Sequence, residues 1–533
     1  MLTTRTVWIT FIVYLAFLLS VAIIENARFR QKNARGFATA GGSIKWPILV
    51  MTYIASLMST WVFFAGPGAY YRGGIGYWAS ELSYICLFPL IMHFVMNKVW
   101  VINSTRKYTT PADFYYDRFK SPLLRVILAL IFLSASFPYV ASVLISISKA
   151  AEIATGGAIA YQQVVIIVGV VIIAYVMIGG LKSIALTDTI QGLAYISILW
   201  IIVFACLFTA FGGSLGNALY AIWKNTNEWF SYPGPDEWVP YSARFGYPFS
   251  CAIGWTVMLP HVFVRSGYSG SDLNTQRKLM FLTPILQAFV WTGTMLIGLV
   301  SIALLPGLGT SDTEYIIPYL IQNVIRYIHP TLAVVLMIGF FIGSVAVGIS
   351  TADSFLLVTG SIISEDLLRH TFGLKLSEKK QLLSVRIVIL IVGLVSILFA
   401  LHPPELIFTL IMFAIAIVMP LFPILVLGIY WKRATRQAAV ISAIAGTVLV
   451  LLTYFVWNLG GNWYGAFGFA GSLICMIVVS LLTHQDPEDS REFYEALSRG
   501  EESCYDMIQG SKGHVFHACM KKHDFGARKN MRK

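Results

Sequence analysis

Charge is scarce in this 533-residue chain: 12% of its residues are Asp, Glu, Lys or Arg, while 57% are hydrophobic. A soluble globular protein carries roughly 25% charged residues, and a water-soluble body of this size cannot be covered with so few. Cysteine is sparse as well. Of the six, Cys86, Cys206, Cys251 and Cys475 lie in apolar runs and Cys504 and Cys519 lie towards the end of the chain. That distribution excludes a disulfide framework. The first apolar stretch, about residues 7–24, is too long for a secretory signal core and has no small-residue cleavage site, so a retained helix is expected. The net charge is +12, yet no nucleic-acid-binding motif accompanies it. The basic residues sit in short loops between apolar runs, where they set topology. No nucleic-acid partner is expected.

What the sequence has in abundance is apolar runs long enough to cross about 30 Å of hydrocarbon. They fall at residues 7–24, 46–68, 76–97, 123–150, 162–179, 189–211, 245–264, 279–304, 331–361, 385–401, 405–430, 437–457 and 464–483. An all-α integral membrane protein of about thirteen transmembrane helices is expected, with the lipid bilayer as its solvent. Thirteen crossings put the termini on opposite sides. With the N-terminus outside, 23 basic residues of the short loops fall inside and 6 fall outside. The inside set includes Arg265, read as a loop anchor. This bias predicts an outside N-terminus and a cytoplasmic C-terminus in the cell membrane.

Two runs are interrupted. The second contains Ala65-Gly66-Pro67-Gly68, and the seventh contains Gly254 and Pro260. Proline removes a backbone donor and clashes with the preceding turn. Unwound backbone at membrane depth survives only against protein or a watery cavity. Each interruption opens a five-helix stretch, which predicts an inverted repeat with a binding site at its midplane.

Several segments resemble the sodium:solute symporter family. The most specific is Gly179-Gly180-Leu181-Lys182-Ser183-Ile184-Ala185-Leu186-Thr187-Asp188-Thr189-Ile190-Gln191-Gly192, with the family's glycine pair, Thr-Asp and Gln. Others are Ala55-Ser56-Leu57-Met58-Ser59-Thr60-Trp61, Thr110-Pro111-Ala112-Asp113-Phe114, Pro260-His261 with Arg265, and Ser350-Thr351-Ala352-Asp353-Ser354. The resemblance implies a five-plus-five inverted-repeat symporter fold with broken helices 2 and 7, working by alternating access. It divides the chain into a first helix and basic loop (1–45), a transport core (46–430), two accessory helices (431–483) and a cytoplasmic polar tail (484–533). It also implies a sodium site made by the carbonyls of Ala55, Met58 and Val347 and the hydroxyls of Ser350 and Thr351. Neutral oxygens from an unwound helix and a facing one suit a hard cation that must leave again.

Buried acids add candidates, since Asp or Glu at mid-membrane costs on the order of 3 kcal/mol. Asp188, Asp353 and Ser354, with Ser350, form a candidate second sodium site by the same resemblance. Asp188 is equally readable as the cap of the sixth helix. Ser56, Ser59, Thr60 and Trp61 are expected to line the solute cavity with Glu81 near them; Glu81 can face solute, hold a proton or pair with a polar neighbour. His261 reads as a satisfied histidine.

Leu57 stands where the proline-carrying branch has an aspartate, and Met258-Leu259 precede Pro260 where the sugar-carrying branch has a glutamine. Gly-Pro-Gly-Ala-Tyr and Pro-His-x-x-x-Arg resemble pantothenate and monocarboxylate carriers. The expected function is therefore symport of sodium with a small organic solute, an organic anion first and a sugar or amino acid second. A transporter-like sensor is the rival, although a tail of about 50 residues is too short for a kinase. A membrane enzyme would need a nucleophile–base pair or metal cluster, and the runs hold neither. Cys504, His514, His517, Cys519 and His523 in the tail have no recognised zinc spacing.

Overall fold

The computed structural model describes residues 2–28, 33–225, 227–232, 234–235, 245–402, 406–484 and 488–510. Among these residues there is no β-strand, only an isolated bridge between Ile44 and Gly270. In chain order the principal helices are α1 (Thr4–Arg28), α2 (Trp46–Met58), α3 (Ala65–Gly73), α4 (Trp78–Ile91, continued by a further helix, Asn97–Arg106), α5 (Pro111–Phe119), α6 (Pro122–Thr155) and α7 (Tyr161–Phe211). They continue with α8 (Gly246–Met258), α9 (Pro260–Gly267), α10 (Leu273–Leu304), α11 (Pro330–Ile362), α12 (Glu378–Leu401), α13 (Ile407–Tyr430), α14 (Arg436–Val456), α15 (Trp463–Leu482) and α16 (Glu488–Gly510). Apolar side chains such as Phe208, Leu398, Phe455 and Leu482 face outward, as a lipid solvent allows.

Among the described residues, ten helices are long and apolar enough to cross a bilayer, or eleven if the bent α8–α9 pair is one span. The sequence reading gives thirteen, and two places account for the difference. The run 46–68 is split into α2 and α3, each shorter than the hydrocarbon. The runs 162–179 and 189–211 share the 51-residue stretch α7. At 1.5 Å per residue that stretch would extend about 75 Å, so the chain must turn within it. It does so at Gly180, with φ 68° and ψ 177°. Glycine alone adopts such angles cheaply, and a Cβ there would stand 2.7 Å from the Phe37 ring. The helix resumes at once, so Asp188 lies two turns inside it rather than at its start. The capping alternative for Asp188 therefore fails.

Both interruptions read from the sequence are present, one of them displaced. α2 ends at Met58, and Ser59 takes a positive φ of 52°. A short turn at Thr60–Val62 follows before α3. Gly66, Pro67 and Gly68 lie in the first turn of α3, where a missing proline N–H has no helical partner to lose. The glycines let α3 approach its neighbours closely: a Cβ on Gly66 would be 2.6 Å from Thr294, and one on Gly68 would be 2.7 Å from the Thr313 carbonyl. At the other interruption Leu259 is extended (φ −62°, ψ 133°), as a residue before proline prefers. α8 and α9 meet there at 58°.

Charged residues read as loop anchors are partly drawn into the protein. Arg118 is buried and donates to the carbonyls of Gly428 (2.8 Å) and Ala434 (3.1 Å), capping the end of α13. The tail read as polar contains α16, which docks beside α5 and the Asn97–Arg106 helix. Phe493 is fully buried against Phe114 at 5.4 Å, Tyr494 donates to Gly428 O at 2.9 Å, and Lys98 pairs with Glu501. Emptying the Phe493 site should cost about 3 kcal/mol and release the helix. Phe493→Ala is expected to speed tryptic cleavage at Arg491 and Arg499 by roughly a hundredfold, with unchanged cutting showing that α16 is not held there.

Candidate functional site

The two interruptions face each other across the core, and the residues around them come from α2, α3, α4, α6, α8, α9 and α11. Ser350 of α11 donates to Ala55 O at 2.9 Å and shares Val347 O at 3.1 Å; Thr351 donates to Val347 O at 3.2 Å. Four of the five oxygens expected for the first sodium site are thereby in one neighbourhood. The fifth is the Met58 carbonyl. Val62 N, which would close on Met58 in a continued helix, donates to Ser59 O instead at 3.3 Å, so the Met58 carbonyl stands at the end of the ladder. All five residues are fully buried.

Beside these oxygens lies a group of polar atoms without well-formed hydrogen bonds: Ser59 Oγ, Thr60 Oγ1, Tyr139 Oη, Trp255 Nε1 and both ring nitrogens of His261. They are contiguous. The Tyr139 hydroxyl faces Ser59 and the Trp255 indole, and Phe355 lies between Tyr139 (4.5 Å) and His261 (4.1 Å) by ring centroids. Buried polar groups are satisfied in the great majority of cases, so such a concentration makes this a candidate site for a polar ligand. His261 is fully buried, and its ring has the Ser56 backbone beside it as a loosely placed hydrogen-bond partner. Tyr139 and Trp255 escaped the sequence reading because an aromatic within an apolar run looks like packing; the one signal was the position of Trp255 between Gly254 and Pro260.

Trp61 roofs this group. Its ring meets Trp255 edge-on at 5.2 Å, Tyr77 at 5.8 Å and Phe408 at 5.4 Å. Glu81 is engaged with these aromatics: Trp61 Nε1 donates to its Oε1 at 3.4 Å and the Tyr70 hydroxyl donates to Oε2. Of the three roles open to Glu81, pairing with polar neighbours is the one present, and it orients Trp61. Ser56 is occupied locally, donating to Tyr53 O at 3.2 Å. Tyr53 in turn donates to Thr256 O, which ties α2 to α8.

The second cluster departs most from expectation. Asp188, Asp353 and Ser354 are together and buried, but Arg265 is buried with them. Its Nη2 lies 3.1 Å from Asp188 Oδ2 and 2.6 Å from Ser354 Oγ, and its Nε donates to Thr52 Oγ1 at 3.0 Å. Arg265 is thus an internal ion-pair partner, not a loop anchor. Helix α1 closes the same cluster from the outer side, its Tyr14 hydroxyl accepting from Gln191 Nε2 at 2.7 Å. Among the described residues, no group of three or more His, Cys, Asp or Glu is disposed to hold a metal. The tail residues His514, His517, Cys519 and His523 lie outside the described residues.

A solved structure of a sodium-coupled sialic acid symporter, in a substrate-bound outward-open state, shares this architecture with a TM-score of 0.74. It is 19% identical, and the match covers 90% of this chain and 97% of that one. The fold is that of the helical inverted-repeat transporters with broken helices. The chain belongs to the sodium:solute symporter family, whose model matches residues 37–446. The osmoregulated proline transporter OpuE of Bacillus subtilis is 27% identical over 465 residues, covering 84% of this chain and 89% of that protein. A sodium/pantothenate symporter of Haemophilus influenzae is 27% identical over 439 residues, covering 82% and 87%. These are transporters rather than enzymes.

If these loosely bonded hydroxyls mark a watery path, a cysteine at Thr60 should be reached from outside. In a background with the six native cysteines replaced, Thr60→Cys and Ser59→Cys are expected to react with a membrane-impermeant thiol reagent at rates that change with sodium. Absence of labelling at both positions under every sodium condition would mean that the α2 break does not line such a path.

Proposed function

We propose that the chain imports a small organic anion, of pantothenate- or monocarboxylate-like chemistry, by symport with sodium through alternating access. The N-terminus is outside and the C-terminus cytoplasmic, as the distribution of basic loops favours. The sodium ion is held by Ala55, Met58 and Val347 through their carbonyls and by Ser350 and Thr351 through their hydroxyls. The solute lies between the two breaks, against Ser59, Thr60 and the lower face of Trp61, with Ser56 and Glu81 supporting the wall.

The observation that carries this reading is the set of buried polar groups with only loosely formed hydrogen bonds next to the Ser350–Ala55 contact. Serine, threonine and tyrosine hydroxyls and an indole N–H can all donate, and the cluster's one nearby carboxylate, Glu81, is already engaged by Trp61 and Tyr70. A donor-rich pocket without a free carboxylate suits a solute rich in acceptors, such as a carboxylate. Sodium beside it supplies further positive charge, which gives coupling its physical basis: each ligand makes the other's site more favourable. Alternating access follows from the two bends, since a half-helix can tilt about an extended turn at little cost.

Proteoliposome counterflow with labelled pantothenate, lactate and proline tests the reading, because two are anions and the third is zwitterionic. Thr351→Ala is expected to raise the sodium concentration for half-maximal uptake about tenfold, the loss of one hydroxyl from a charged ligand. Ser350→Ala should act in the same direction. Sodium dependence unchanged in both would remove the assigned site.

A further inference from the structure

Asp188 and Ser354, expected as ligands of a second sodium ion, are already engaged by a cation that belongs to the protein. The Arg265 guanidinium reaches Asp188 Oδ2 at 3.1 Å and Ser354 Oγ at 2.6 Å through the same nitrogen, Nη2. Its Nε is 3.0 Å from Thr52 Oγ1 and its Nη1 is 3.3 Å from the His261 carbonyl. Thr52, Asp188, Arg265 and Ser354 are all fully buried. An ion placed within bonding reach of both Asp188 Oδ2 and Ser354 Oγ would overlap Nη2. It would also meet a like charge where no water screens the repulsion. The residues present do not fit a free cation at this position.

We infer that Arg265 is a tethered counter-ion that takes the place of a second sodium between Asp188 and Ser354, so that the chain binds one sodium ion. A guanidinium differs from a bound ion in that it cannot leave. It neutralises Asp188 throughout and fastens four helices, α2, α7, α9 and α11, to one another at a single point. Asp353 lies beside this pair, within electrostatic reach of both Asp188 and Arg265, and Asp188 keeps its Oδ1 free of hydrogen bonds. Asp353 Oδ1 accepts from Ser354 at 3.1 Å, and Asp353 Oδ2 has no hydrogen-bond partner. The inference rests on the sodium-coupled reading above and specifies how many ions that reading admits.

Equilibrium binding of radioactive sodium to the purified full-length chain tests it with the ion alone. The unsubstituted chain is expected to bind one sodium, which Thr351→Ala binds about tenfold more weakly and Asp188→Asn/Arg265→Gln retains. Arg265→Ala leaves Asp188 and Ser354 facing a space the size of a guanidinium and should bind two. Arg265→Ala/Asp188→Asn should return to one, and Arg265→Lys should stay at one because the tethered charge remains. Two ions on the unsubstituted chain, or loss of its one ion in Asp188→Asn/Arg265→Gln, would overturn the inference. No bound sodium on the unsubstituted chain would overturn the sodium-coupled reading itself. Where Arg265→Ala does not fold, the counts for the unsubstituted chain and for the charge-neutral double variant decide the matter.

Discussion

Inside a bilayer each unpaired peptide group costs several kcal/mol, and this core is organised around two turns that leave the helical ladder. One runs from Met58 to Ala65 and the other passes through Leu259. Neither faces lipid, because the surrounding helices are close enough to enclose them. Gly66 and Gly68 allow α3 to press against Thr294 and Thr313, and Gly254 allows α8 to press against Ile415. Enclosure shields the freed carbonyls from lipid but does not satisfy them. The α11 hydroxyl of Ser350 supplies the missing partner at Ala55, and Thr351 beside it bonds back within α11 to Val347. The same arrangement that keeps the break tolerable is one that a small cation can replace, oxygen for oxygen.

Charge obeys the same constraint. A buried arginine is acceptable only when its donors are met, and breaking such a pair from one side costs about 3–5 kcal/mol. Arg118 meets carbonyls at the end of α13, and Arg265 meets Asp188, Ser354, Thr52 and the His261 carbonyl. The two have different consequences. Arg118 caps a helix end and joins it to the tail helix through Tyr494. Arg265 sits on α9, the short helix beyond the second bend, so any tilt of α9 must carry the ion pair with it or break it. The Asp188 cluster is therefore a mechanical joint as well as an electrostatic one.

The bends were legible because proline and glycine act on the backbone locally, and the Ser350–Ala55 neighbourhood followed from the family resemblance. What was not legible depended on partners distant in sequence. Arg265 stands at the end of an apolar run, where basic residues usually anchor loops, and nothing near it reveals an acid 77 residues away. Gly180 lay within the motif but reads as the start of a loop, because composition does not distinguish a one-residue turn from a nine-residue connection. The stripe formed by Ser490, Phe493, Leu497 and Gly500 follows helical spacing. It was legible in principle but was overshadowed by the polarity of the residues between.

The charge of the solute determines how much a single sodium ion can accomplish. With one sodium and a monoanion no net charge crosses, so a tenfold sodium gradient supplies about 1.4 kcal/mol and supports about tenfold accumulation. A zwitterion leaves one positive charge moving, and 100 mV adds about 2.3 kcal/mol, which raises the limit to roughly 500-fold. Two sodium ions with a monoanion would reach about 5.1 kcal/mol, near 5,000-fold. Holding Asp188 on Arg265 gives up that larger driving force. In exchange, the cluster stays neutralised at Asp188 whether or not sodium is present, so an empty carrier does not have to reorient with that carboxylate exposed.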